Sequence, residues 1–87
     1  MKFIEVTSYA PQQINVLDDD DKFIAFTYVR CGKLKTYPYK ENDIDWKTII
    51  FDIDFGNEYI GSIPDGLQDN IFETITNKLN KIKDDKH

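Results

Sequence analysis

The chain has 87 residues, of which 40% are hydrophobic and 14% aromatic, enough for the core of one small domain over residues 1–87. Its net charge of −5 disfavours nucleic acid and favours basic partners. The single cysteine excludes an internal disulfide, and no apolar run approaches the roughly 20 residues that span a bilayer. Glu5 interrupts the apolar N-terminus, so no signal-peptide core is present. We therefore expect a soluble, cytoplasmic protein.

Short apolar or alternating stretches predict six strands. They cover residues 2–8, 14–17, 22–30, 33–39, 48–55 and 58–63. Pro11 breaks the chain after the first strand, and the four consecutive aspartates at 18–21 predict an exposed turn before the third. Gly56 and Asn57 predict a tight turn that makes residues 46–63 a hairpin.

The last element is predicted to be a helix over residues 66–83. Apolar residues spaced by four, four, four and three positions form one stripe: Leu67, Ile71, Ile75, Leu79 and Ile82. Asp65, followed three residues later by Gln68, predicts a capping box. A helix with one stripe needs a sheet to cover it. The predicted fold class is α+β, an antiparallel sheet of five to six strands with one C-terminal amphipathic helix packed on one face.

One helix can cover only one face of this sheet. We expect it to cover the face that carries Ile4, Val6, Ile24, Phe26, Ile49, Phe51 and Ile53. The opposite face would then present Phe3, Phe23, Val29, Tyr37, Tyr39, Trp46 and Ile50. Uncovered aromatic side chains rimmed by charge are typical of protein interfaces. A second copy of the chain or a different protein could cover them, whereas strand curvature and the 10–13 loop are the structural alternative.

The acidity is concentrated between residues 41 and 69. Eight carboxylates and one lysine lie there, so this stretch carries −7 and the rest of the chain +2. Such a regional field speeds encounter with a basic partner, although a solvated acidic face that keeps a small domain soluble would have the same composition.

The sequence assigns no catalytic residue, metal or cofactor, and we do not expect an enzyme. His87 is the only histidine and the last residue, so Ser-His-Asp and Cys-His catalysis lack a positioned base. Asp52 and Asp54, joined by Asp45 or Glu58, could bind a divalent cation through oxygen ligands. Two aspartates on a solvent-facing strand are common, however, and a metal site needs more ligands.

Basic and aromatic side chains alternate through residues 28–40. They are Tyr28, Arg30, Lys33, Lys35, Tyr37, Tyr39 and Lys40. A hairpin over residues 30–40 could hold single-stranded nucleic acid by phosphate contacts and base stacking. Against this, lysines on an edge strand commonly prevent aggregation, and the acidic balance of the chain opposes nucleic-acid binding.

In size, acidity and order of strands and helix, the chain resembles small immunity proteins of bacterial polymorphic-toxin systems, of the contact-dependent-inhibition and Maf types. Phage anti-CRISPR proteins of similar length are a second resemblance. Both extend over the whole chain as a layout, without a residue motif, and carry over no site residues. The first implies a stoichiometric inhibitor, as a monomer or a homodimer, that occludes the nucleic-acid site of a basic nuclease-type toxin.

For such an inhibitor the carboxylates would occupy the place of phosphates. The predicted partner-binding residues are Asp43, Asp45, Trp46, Asp52, Asp54 and Glu58. Trp46 would be the anchor, because buried aromatic side chains dominate interface energies.

Overall fold

A computed structural model describes residues 1–7 and 11–85, with side chains up to residue 82. The elements are β1 (Lys2–Thr7), β2 (Gln12–Leu17), β3 (Phe23–Arg30), β4 (Lys33–Lys40), β5 (Asp43–Ile44), β6 (Phe51–Asp54) and α1 (Gln68–Asp85). Strands β1 to β4 pair antiparallel in chain order, and both β5 and β6 pair with the far edge of β4. The predicted α+β class, an antiparallel sheet with one C-terminal helix, is confirmed.

The predicted hairpin over residues 46–63 is wrong, because residues 58–63 form no strand. Strand β6 pairs with β4 instead, with Asp54 opposite Lys33. The additional strand is the two-residue β5, which follows a tight turn at Glu41 and Asn42. Both turn residues have positive φ angles, as a type I′ hairpin turn requires. Alternation predicts that a segment is extended, but it does not say which strand the segment pairs with.

Helix α1 covers one face of the sheet, which we call the covered face. Buried side chains of β2, β3 and β4 pack there against the helix. They are Ile14, Val16, Ala25, Val29 and Leu34 from the strands and Ile71, Ile75 and Leu79 from the helix. At the centre of this face Thr27 lies directly opposite Thr36, and their hydroxyl oxygens are 2.7 Å apart. Each buried hydroxyl therefore has a partner.

The structure corrects part of the predicted assignment of residues to the two faces. Val29, Phe3 and Ile50 pack against the core, whereas Phe26 lies on the opposite side, beside Tyr28. In β3 the small and β-branched side chains Ala25, Thr27 and Val29 are buried, whereas the rings of Phe26 and Tyr28 lie on the uncovered side. Ile4, opposite Asn15, is also directed away from the helix and is half-exposed.

An irregularity in the pairing of β2 with β3 explains why face assignment by simple alternation fails. Val16 lies opposite Ala25, but the next residue, Leu17, lies opposite Phe23. Ile24 is therefore an extra residue in β3. As a result Ile24 packs against the core, and the Phe23 ring lies on the uncovered side.

Residues 55–63 cross the end of the β3–β4 hairpin and are fixed there by Gly32. The Gly32 amide donates to the Ile60 carbonyl (2.7 Å), and the Gly32 carbonyl accepts from the Phe55 amide (2.8 Å). Gly32 has a φ of +76°, and a Cβ atom on it would lie 2.1 Å from the Asn57 carbonyl oxygen. Both the backbone conformation and the close approach therefore require glycine.

Helix α1 begins at Gln68, two residues later than predicted. The Leu67 carbonyl accepts from the Ile71 amide (3.0 Å), and Gly66 before it has a positive φ. Because Gln68 is the first helical residue, the predicted capping box with Asp65 is not formed. Within the described ranges, no helix has the length and apolar character needed to cross a membrane.

Candidate functional site

The sheet face opposite α1, which we call the open face, carries a continuous group of aromatic side chains. Phe26 lies opposite Tyr37, and Tyr28 lies opposite Lys35. The rings of Tyr28 and Tyr37 are stacked, with centroids 6.1 Å apart and an interplanar angle of 14°. Phe26 stacks on Tyr28 at 6.2 Å. Two neighbouring strands thus place three rings in one continuous layer.

Trp46 completes this layer from outside the sheet. Its ring meets those of Tyr37, Phe26 and Tyr28 edge-on, at centroid distances of 5.0, 5.9 and 6.4 Å. Edge-to-face contacts of this kind add to the stabilisation from burial. Tyr37 is only 6% exposed, whereas Trp46 remains 56% exposed. Trp46 therefore covers Tyr37 and still offers much of its own surface. We call Phe26, Tyr28, Tyr37 and Trp46 the aromatic cluster.

Trp46 reaches the open face because residues 45–50 leave the β4 edge and return to it. The Asp45 amide donates to the Pro38 carbonyl (2.8 Å), and the Ile50 amide donates to the Thr36 carbonyl (2.8 Å). Only four residues, 46–49, lie between these two backbone contacts along the chain, so the excursion that carries Trp46 is short and held at both ends.

The carboxylate of Asp45 orders this excursion. It accepts from the Thr48 hydroxyl (2.8 Å) and from the Lys47 amide (3.1 Å). These two hydrogen bonds lower the pKa of Asp45 below its usual value, because both favour the ionised form. Asp45 is thus a turn residue whose charge is fixed in place at neutral pH.

A second pair of rings lies at the β5 end of the open face. The Tyr39 hydroxyl donates to Asn15 Oδ1 at 3.3 Å, and the Phe23 ring lies 5.6 Å from that of Tyr39. Burial, and then the nearby Asp43 carboxylate, raise the pKa of Tyr39. Phe23 is half-exposed, so the apolar surface continues from the aromatic cluster to this end of the sheet.

Asp52 and Asp54 lie on the open face of β6, directly opposite Lys35 and Lys33. Opposite charges in facing positions of a sheet attract and partly cancel each other's field. The ion pairs shorter than 4.0 Å in the described chain lie elsewhere, at Asp19 and Asp21. The facing lysines therefore partly neutralise the two β6 carboxylates without forming ion pairs shorter than 4.0 Å with them.

The predicted site residues form a stripe rather than one compact patch. Asp43 lies opposite Lys40 at one end of β4, and Glu58 follows Asn57, which contacts Gly32 at the other end. These ends are about 23 Å apart at the usual rise per strand residue. Asp52, Asp54 and Asp45 lie between them along the same sheet edge. The structure thus brings Trp46 into an aromatic cluster and spreads the carboxylates beside it.

Phe26 and Tyr28, which belong to the cluster, were not among the predicted site residues. A usable signal was present, because the two-residue turn at Cys31 and Gly32 fixes the register of the strands it joins. That register places Tyr28 and Phe26 beside Tyr37. The face of β3, in contrast, could not be assigned from alternation alone.

The alternative metal site would have joined Asp52 and Asp54 with Asp45 or Glu58. In the part of the chain that the structure describes, no group of three or more His, Cys, Asp or Glu side chains is placed to hold a metal ion. The chain as a whole matches no family model, curated protein or solved structure in the comparisons made. The open face must therefore be interpreted from its own chemistry.

Proposed function

We propose that the protein is a non-enzymatic binding domain that holds a basic protein on its open face. The observation that supports this most is Trp46, which is 56% exposed and is backed by a layer of stacked rings. Tryptophan and tyrosine are the residues that most often dominate binding energy at protein interfaces. A ring already held by its neighbours also loses little conformational freedom on binding.

The basic character of the partner is inferred from the carboxylate stripe beside the cluster. The stripe comprises Asp43, Asp45, Asp52, Asp54 and Glu58 on a chain of net charge −5. Four lysines lie beside the stripe and weaken its field: Lys33, Lys35, Lys40 and Lys47. The five carboxylates outnumber them by one, so the stripe keeps a small net negative charge. Complementary charge of this kind acts mainly on the rate of encounter and on the choice of partner.

The most specific form of the proposal is an immunity protein that neutralises a nuclease-type toxin in the bacterial cytoplasm. In it the carboxylate stripe would enter the basic nucleic-acid site of the toxin, and Trp46 would anchor the complex. An anti-CRISPR-type inhibitor would use the same surface chemistry against a different basic nucleic-acid enzyme. Both forms need no catalytic residue and no cofactor in this chain.

Charge reversal tests the role of the stripe. We expect the double variant Asp52→Lys and Asp54→Lys to slow association with the basic protein that the parent chain captures. Association would be measured by stopped flow or surface plasmon resonance at low and high salt. The control is Asp69→Lys with Glu73→Lys, exposed helix residues that change the net charge equally. Equal slowing by both pairs would show that only the total charge matters and would remove the stripe from the proposal.

Nucleic-acid binding is the second candidate, because Lys33 and Lys35 share the open face with the stacked Tyr28 and Tyr37 rings. Trp46 covers Tyr37, so a base could stack on the cluster only through Trp46 or by displacing it. Trp46 is the only tryptophan, and its fluorescence reports either event. Saturable quenching by a single-stranded oligonucleotide, with a steep salt dependence, would replace protein binding as the proposed function.

A homodimer that buries the open face is a third possible use of the same surface. Sedimentation of the parent chain beside Trp46→Ala distinguishes it, since only a dimer formed through the cluster would dissociate in the variant.

A further inference from the structure

A groove of about 950 Å³ lies away from the aromatic cluster, at the end of the sheet where α1 finishes. Its floor is apolar and is formed by Ile24, Pro38, Ile50, Leu79 and Ile82. The 18–22 turn and the β4–β5 turn form its rim. Its volume is within the range that protein ligand sites commonly have.

The groove exists because the apolar stripe of α1 extends past the core. Leu79 is 8% exposed, whereas Ile82, the next member of the stripe, is 40% exposed. The helix continues to Asp85, but among the described side chains the sheet leaves Ile82 outside the buried core. An apolar helix surface is therefore left without a partner beside an apolar sheet end.

The rim is acidic. The lining includes Asp18, Asp19, Asp20, Glu41 and Asp45, against the side chains of Lys22 and Lys40. The Met1 amine, which also lines the groove, is paired with Asp19 at 2.9 Å. The remaining carboxylates outnumber the lysines, so the rim carries net negative charge.

Two of these carboxylates are held in place before any partner arrives. Asp18 Oδ1 accepts from the Asp20 amide (2.9 Å) and the Lys22 amide (3.0 Å). The carboxylate of Asp45 is held by Thr48 and Lys47. Charges fixed in advance lose less entropy when a cation meets them.

We propose that this groove binds a basic amphipathic segment of a partner protein, with its apolar side chains on the floor and its lysines or arginines against the rim. A second copy of this chain is a poor occupant, since each copy carries −5 and would bring further carboxylates to the rim. The groove adjoins the open face through Phe23, Tyr39 and Asp45. Trp46 and the other members of the aromatic cluster do not line it, so binding in the groove is tested separately from the function proposed for that cluster.

The test is a titration of the isotope-labelled full chain with an amphipathic peptide of about 14 leucine and lysine residues, long enough for a helix once bound. We expect amide chemical-shift changes to concentrate at Ile24, Ile50, Leu79 and Ile82. A peptide with glutamate in place of every lysine is the probe for charge and should not bind. Equal binding of both peptides, or shift changes concentrated at the aromatic cluster, would overturn the proposal.

Matched variants distinguish binding in the groove from a general effect of the net charge of the chain. Asp20→Lys with Glu41→Lys should weaken peptide binding about tenfold, from two lost attractions and two new repulsions. Asp65→Lys with Glu73→Lys makes the same charge change at exposed positions outside the groove and should bind more nearly like the parent. Ile82→Ser, which keeps the charge, should also weaken binding. Equal weakening by both charge variants, or no effect of Ile82→Ser, would contradict a built groove.

Discussion

The two faces of the sheet come from the same strands and differ in almost every other respect. In β3, Thr27 is fully buried beneath the helix, while its neighbours Phe26 and Tyr28 lie on the open face. The buried core of the covered face is mostly aliphatic and is closed by α1, whereas the open face is aromatic and charged, with Trp46 lying over it. Because side chains alternate along a strand, one short strand can serve stability on one side and binding on the other.

The comparison predicts that stability and binding can be separated residue by residue. A buried aliphatic side chain contributes about 1.5–3 kcal/mol through its burial, and a small domain has few of them. Ile14, Leu34 and Ile75 are entirely buried. The half-exposed Trp46 and Phe23 contribute less to folding and are free to contact a partner.

The largest effect is expected at the centre of the covered face. Ile75→Ala should lower the free energy of unfolding by about 2–5 kcal/mol, because it removes buried methyl groups and leaves a cavity. Ile82→Ala, on the same helix stripe but 40% exposed, should lower it by less than about 1 kcal/mol. Urea unfolding measures both. Equal losses would mean that the helix does not pack as described.

Gly32 tests the close approach between the β3–β4 turn and the Asn57 backbone. Gly32 and Gly56 share a φ of +76°, but a Cβ atom on Gly56 would meet nothing within 4 Å. Gly56→Ala should therefore cost only the backbone strain, about 1–2 kcal/mol. Gly32→Ala must also displace the Asn57 backbone and should cost clearly more. Similar unfolding free energies for the two variants would refute the close approach at Gly32.

The hydroxyl pair of Thr27 and Thr36 tests the polar centre of the covered face. Thr27→Val alone should cost about 1–3 kcal/mol, because it leaves the Thr36 hydroxyl buried without a partner. Replacing both threonines by valine should recover most of that loss. A double variant as unstable as the sum of the two single variants would show that the hydroxyls do not depend on each other.

The α+β class, the first four strands and the helix followed from the sequence, whereas β5 was not predicted and the strand expected over residues 58–63 is absent. The stripe from Ile71 to Leu79 predicts the helix because spacing alone defines its buried side. The pairing of β6 with β4 depends on the contacts at Gly32, which no local pattern reveals. The extra residue Ile24 also places Ile24 and Phe26 on opposite faces, although alternation expects them on the same face, and such irregularities have no reliable sequence signal. Trp46 and Tyr37 were expected correctly on the uncovered face, but Phe26 was expected beneath the helix.

The smallest predicted effect concerns the open face and is a change in the pH dependence of stability at high pH. Burial, and then the charge and hydroxyl of Tyr28, raise the pKa of Tyr37 above 10.0. The unfolded chain then loses this proton first, so the folded state loses stability as the pH rises from about 10 towards the folded pKa. Tyr37→Phe should flatten the pH dependence of unfolding above about pH 10 and leave it unchanged near neutrality. An unchanged alkaline slope would place Tyr37 in water rather than beneath Trp46.

The measurement closest to the central claim is made on Trp46→Ala, with folding and binding determined on the same sample. Urea unfolding gives its stability, and equilibrium titration gives its affinity for the basic protein that the parent captures. We predict a loss of about 1 kcal/mol in unfolding free energy, from the ring contacts with Tyr37 and its neighbours. We predict a loss of at least about 2 kcal/mol in binding, the size expected of an interface anchor. Unchanged affinity in a folded variant would contradict the assignment of the open face as the binding surface.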